Sequence, residues 1–262
     1  MRRVAALTAT TYQTSFMTGR TTPGVFSCED ANGNPAGEYV VKLKGNIETG
    51  NAGLLREIVG NLLAEEVGIA APEPAIVDIP VDLAGSISDM RVAQSVQKSI
   101  GLNFGSKNLS GGYYAWPNEK TVPPSLKQLA TDIFVFDALI QNPDRRRGKP
   151  NLLWKSDGLV AIDHEMAFSF LLALFPSKQP WLLADQPYLG DHIFFHHLRG
   201  TEVDLSRITG AIEAVKDTFW NELDGVVPAD WKGTELARIH NHVESIQEHL
   251  EEFMNDVRRI LQ

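Results

Sequence analysis

The chain has 262 residues, 43% of them hydrophobic and 22% charged, a globular composition that excludes a fibrous or disordered chain. Its formal net charge of −9, from 33 acidic residues against 24 lysines and arginines, argues against a general nucleic-acid binder with a basic face. The single cysteine, Cys28, excludes an internal disulfide framework and a CxxC zinc site, and points to a reducing, cytoplasmic setting.

Arg2 and Arg3 precede an apolar start that breaks at Thr8, too early for the roughly 7–15 apolar residues of a signal peptide. Val4 to Tyr12 predicts a strand, Gly19 to Gly24 a turn, Val25 to Cys28 a short strand, and Glu38 to Lys44 a further strand. A glycine-rich loop is expected from Gly45 to Gly53. Leu55, Ile58, Val59, Leu62 and Leu63 then follow a helical period over 54–67, which Gly68 and Pro72 end. Ala75 to Ile79 and Leu102 to Phe104 read as strands. A boundary is expected near 105–115, at Gly105, Gly111 and Gly112. Beyond it, 125–140 reads as a helix with Ser125 as N-cap, 151–154 and 159–163 as a hairpin, and the remainder as mostly helical. The most apolar run, Met166 to Phe175, is too short to span a membrane and stops at Pro176.

Asn142 to Phe168 carries the chemistry. A helix leads into a loop holding Asp144, Asn151 opens the hairpin, and its returning strand ends at Asp163. These three can converge. Phosphoryl transfer uses such a set: one carboxylate to orient the acceptor hydroxyl, and an asparagine with a second carboxylate to hold Mg²⁺. The competing reading is an ordinary charged loop, since Asn-Pro and Asp-Gly are common turn chemistry. Lys42 lies in an apolar strand, where it is either a solvent-face lysine or one that reaches phosphates. Glu57, placed at the opening of the one helix expected in this half, is positioned to pair with it. Gly19, Arg20, Thr21 and Thr22 can form a phosphate lid, and Thr18, Thr21 and Thr22 are candidate sites of self-phosphorylation. Strand lysine, helix glutamate, Asp–Asn loop and strand-end Asp follow the order that kinases use.

On these residues the sequence resembles the HipA-like kinases. The match is best at Tyr39–Lys44, Leu54–Pro74, Gly101–Lys107 and Phe134–Phe168. The resemblance implies an α+β, two-lobed protein-kinase-like fold, with a strand-rich N-lobe over residues 1–107 and a larger helical C-lobe over 108–262. It implies Lys42 as the phosphate lysine, Glu57 as its partner and Asp144 as the catalytic carboxylate. Asn151 and Asp163 would be Mg²⁺ ligands. Phe104, Gly105 and Ser106, with Lys107, would form a hinge for the adenine of ATP. A protein serine or threonine hydroxyl is the implied acceptor. The alternative is a pseudokinase or nucleotide-binding module without turnover.

Three features depart from the kinase pattern. The usual D-x-x-x-x-N spacing is lengthened by two residues to D-R-R-R-G-K-P-N, so the loop either bulges at Gly148 and still presents Asn151, or misplaces it. G-x-G-x-x-G is absent. Asp163 is followed by His164 and Glu165, the latter either a further metal-side carboxylate or an acid at a helix N-terminus.

Arg145, Arg146 and Arg147 are candidates for a phosphate clamp, or for holding the Asp144 loop. His192 and His196 have i, i+4 spacing that can bind a metal, though no third ligand is evident. The apolar positions Leu236, Ile239, Val243, Ile246, Leu250, Phe253, Val257 and Ile260 form a heptad seam on an expected single helix. It serves either self-association or packing on the C-lobe.

Overall fold

Alternating side chains of one strand face two different apolar interiors, and that division positions the site. The computed structural model describes residues 4–15, 22–109, 111–156 and 158–262. Strands β1 (Ala5–Ser15), β2 (Gly24–Glu29), β3 (Pro35–Lys42), β4 (Pro74–Ile79) and β5 (Gly101–Lys107) close into a barrel in the order β1-β2-β3-β5-β4. The β1–β4 pair is parallel and the others antiparallel. Closure gives every barrel strand a partner on each side. Tyr39, Val41 and Leu43 join Phe26, Val77 and Ile79 inside the barrel. Strand periodicity of two therefore turns Lys42 to the outer face, beside its cross-strand partner Phe104.

Helix α1 (Asn51–Glu66) covers that outer face. Every residue from Gly53 to Ala64 is buried, as expected of a helix enclosed on all sides rather than lying on a surface. Phe104 and Ile76 of the barrel's outer face, α1 and the helical C-terminal part all belong to one continuous apolar cluster. A 3₁₀ turn at Lys44–Asn46 and the helix start at Asn51 occupy much of the expected glycine-rich loop, so Glu57 lies well inside the helix rather than at its opening. A second helix of this half, α2 (Met90–Gln97), was not expected from the sequence. Its buried Val96 joins the barrel interior.

The C-terminal part begins with β6 (Tyr114–Ala115) and α3 (Lys127–Leu139), followed by β7 (Leu152–Lys155) and β8 (Gly158–Ala161). β6, β7 and β8 form a three-stranded antiparallel sheet. Ser125 lies within a 3₁₀ turn and makes no cap; the α3 N-cap position is Leu126. Turns carry the chain to α4 (Phe195–Leu198), α5 (Ser206–Glu213), α6 (Asp217–Val226), α7 (Ala229–Lys232), α8 (Glu235–Glu248) and α9 (Leu250–Leu261). The heptad stripe thus spans two helices, broken at His249, rather than one. Ile239, Val243, Ile246, Phe253 and Val257 are buried in the core of the C-terminal part, as in the packing alternative. Among the described residues, no helix is long and apolar enough to cross a membrane.

Candidate active site

Asp163 is the meeting point. It follows β8, and its backbone takes a positive φ of 60°, as does Asn151 opposite it with φ 48°. Asp and Asn enter the left-handed region more readily than other non-glycine residues. The Asn151 carbonyl accepts the Ile162 N–H at 3.1 Å, which fixes the two ends of the hairpin side by side.

On one side of Asp163 lies Lys42. Its ammonium is 2.7 Å from Asp163 Oδ1, 2.9 Å from Glu57 Oε1 and 3.7 Å from Glu165 Oε2. Burial alone would discharge this lysine, but the Glu57 and Asp163 carboxylates outweigh it and hold its pKa above the ordinary value. The second oxygen of Glu57 accepts the His164 N–H at 2.9 Å, so α1 grips the chain just after Asp163. Burial pushes the Glu57 carboxyl up to about 7 against the opposing pull of Lys42. Asp163 is also desolvated, yet Lys42 and Lys149 hold it well below the usual carboxylate range. Arg56, beside Glu57, donates from Nε to the Glu165 carbonyl at 2.6 Å and from Nη2 to Thr49 Oγ1 at 2.8 Å. Gly60 permits the close approach: a Cβ there would lie 2.6 Å from the His164 Cβ.

On the other side lies the Asp144 loop. Arg146 and Lys149 exchange backbone hydrogen bonds of 3.1 and 3.0 Å, closing a tight turn in which Gly148 has φ 82°. That turn absorbs the lengthened spacing. Asn151 Nδ2 still comes to 3.3 Å from Asp144 Oδ2. The Lys149 ammonium pairs with Asp144 Oδ2 and stands 3.5 Å from Asp163 Oδ2.

Beneath the loop, Asp137 of α3 collects Arg145 Nε at 2.5 Å, His192 Nε2 at 2.9 Å and Asn142 Nδ2 at 2.9 Å. Arg145 donates onward to the Asn151 carbonyl, and to the Ile162 carbonyl at 3.2 Å. It is buried and holds the loop, whereas Arg146 and Arg147 are exposed. His192 is committed to Asp137 rather than to a metal site with His196. Among the described residues, the one group of closely spaced metal-ligating side chains is Glu57, Asp163 and Glu165. Glu165 lies in a turn rather than at a helix N-terminus.

Phe104, Gly105 and Ser106 lie within β5, paired to β3 on one side and β4 on the other. Their backbone is committed to the sheet, and the pairing runs on as the Lys107 N–H donates to the Glu73 carbonyl at 2.8 Å and the Asn108 N–H to the Glu38 carbonyl at 2.9 Å. Gly19, Arg20, Thr21 and Thr18 fall outside the described residues. Thr22 is exposed, with Oγ1 accepting from Asn46 Nδ2 at 3.3 Å.

The sequence reading missed Lys149 and Asp137. Counting five residues from Asp144, the kinase asparagine position, arrives at Lys149. Asp137 stood out only as an acid inside an apolar helical run.

A search of curated proteins gave no match. Among solved structures, the Helicobacter pylori proinflammatory kinase CtkA is similar over 99% of this chain and 96% of that chain, at 13% identity and a TM-score of 0.47. A family model described as HipA-like kinase matches residues 13–258, nearly the whole sequence, and on that match the chain belongs to the HipA-like kinase family.

Proposed function

We propose that the protein is an ATP- and Mg²⁺-dependent phosphotransferase that passes the γ-phosphoryl group to a serine or threonine hydroxyl of a protein. The observation carrying this reading is the shared position of Asp163, bonded to Lys42 on one oxygen and facing the Asp144–Asn151 loop on the other. Two lobes, residues 1–107 and 108–262, would enclose the nucleotide, with its adenine against the chain leaving β5.

The donor set fits a hard cation, since three carboxylates place oxygens within 4.8 Å of one another and no soft ligand intervenes. Asp163 with Asn151, and Glu165 as a further oxygen donor, would hold Mg²⁺, which when bound neutralises phosphate charge. Lys42, kept charged and oriented by Glu57, binds the phosphates. Asp144 orients the acceptor hydroxyl and receives its proton. The bond from the γ-phosphorus to the β–γ bridging oxygen breaks as the bond to the acceptor oxygen forms, and ADP leaves. Such catalysis rests on positioning and charge stabilisation.

One observation favours a second reading, a nucleotide-binding module without turnover: the Asp144 carboxylate is already paired with Lys149. Incubation with ATP, Mg²⁺ and candidate acceptor proteins, followed by phosphoamino-acid analysis, separates the two. Phosphoserine or phosphothreonine supports phosphotransfer. Nucleotide-dependent thermal stabilisation without labelled product supports the binding module.

A further inference from the structure

We propose that Lys149 is a fixed cation of the active site, taking the place of a second divalent metal ion, so that this chain works with one. The inference rests on the phosphotransfer reading above and goes beyond it. Kinases hold two Mg²⁺ ions with a strand-end Asp and the catalytic-loop Asn. Here the residue at that loop position is Lys149, and Asn151 arrives two residues later.

The geometry agrees with the count. The Lys149 ammonium touches Asp144 Oδ2 and lies 3.5 Å from Asp163 Oδ2, the gap between the acceptor-orienting carboxylate and the metal-side carboxylate. Its backbone is pinned in both directions to Arg146, so the side chain leaves a rigid turn rather than a loose loop. At 40% exposure it faces the open side of the site, within reach of an incoming phosphate, whereas the Lys42 side chain is 10% exposed.

Lys42 and Lys149 stand as two cations among the carboxylates of Glu57, Asp144, Asp163 and Glu165. Replacing Lys149 with asparagine removes one positive charge and supplies an oxygen ligand, which opens room for a second ion.

The test counts Mn²⁺ ions by electron paramagnetic resonance on the full chain with a non-hydrolysable ATP analogue. Wild type is expected to bind one ion per chain, Lys149→Asn two, and Lys149→Arg, which keeps the charge, one. A wild-type count of two overturns the proposal, and this arm does not depend on any variant folding. A count of one in a folded Lys149→Asn chain overturns it as well. In a parallel assay at saturating MgATP, wild-type transfer should not change with added free Mg²⁺, whereas Lys149→Asn should rise with it by about tenfold or more. Absence of analogue binding by the wild-type chain overturns the phosphotransfer reading itself, and this inference with it.

Discussion

The two sides of Asp163 are built differently. The Lys42 side is dry: a strand lysine, a helix glutamate and a backbone N–H are locked between the barrel and α1, and Lys42 and Glu57 are almost fully buried. The Lys149 side is open and mounted on a turn, with its supports in the Asp137–Arg145 network below. The contrast assigns labour. The dry side fixes Asp163 and presents an ammonium whose charge the Glu57 and Asp163 carboxylates maintain. In the proposed function, the open side is where an acceptor and a phosphate enter.

Removing the residue common to both sides should have the largest effect. Asp163→Ala leaves Lys42 and Lys149 without their shared carboxylate, and phosphoryl transfer should fall by about 10³-fold or more. Steady-state transfer assays check this, and a fall under tenfold would mean the two sides do not work through Asp163.

The open side alone is broken from below. Asp137→Ala leaves Arg145 charged and buried without its partner, a change that costs about 3–5 kcal/mol. Urea unfolding should show that loss. The dry side alone is broken at Gly60. Gly60→Ala brings a methyl group against the His164 side chain, and overpacking of this kind costs about 1–3 kcal/mol. Here the nucleotide affinity should weaken with the stability, as α1 moves away from Asp163, and calorimetric titration with an ATP analogue reads it.

The smallest effect is in pH dependence. Burial raises the folded-state pKa of Glu57 from 4.5 to about 7. The folded chain therefore keeps a proton that the unfolded chain releases, and this contribution to stability is present below the unfolded value and lost as pH rises through about 7. Asp163 has the opposite sign, its pKa being lowered from 3.8, so its contribution is lost only in acid below that range. Unfolding free energies compared at about pH 5.5 and about pH 8 should decline more in wild type than in Glu57→Gln, which does not titrate. Equal slopes would place the Glu57 titration elsewhere.

Much of the frame was legible in the residues. The alternation around Lys42, the helical period of α1 and the hairpin that delivers Asp163 are local signals, and each element appears within a few residues of its expected bounds. What was not legible depends on contacts distant in sequence. Lys149 reads as a loop charge until the Arg146–Lys149 turn points it at two carboxylates, one of them beyond the end of β8. Asp137 and Arg145 are eight positions apart, and nothing local shows that the arginine turns inward while its two neighbours stay in solvent. The adenine hinge that the family resemblance implies at Phe104–Ser106 lies inside β5, and the pairing of that strand on both flanks is a property of the barrel that no local signal shows. The heptad stripe has no interruption at His249, where the backbone leaves the helix at φ −119° and ψ 30°.

Single-turnover transfer from radiolabelled ATP, with bound nucleotide counted in the same sample, compares wild type with Asp144→Ala. Loss of the carboxylate proposed to take the acceptor proton should lower transfer by about 10²-fold or more while nucleotide occupancy is retained. Equal transfer by the two chains, or occupied wild-type protein that transfers nothing, would contradict a catalytic site organised around Asp163.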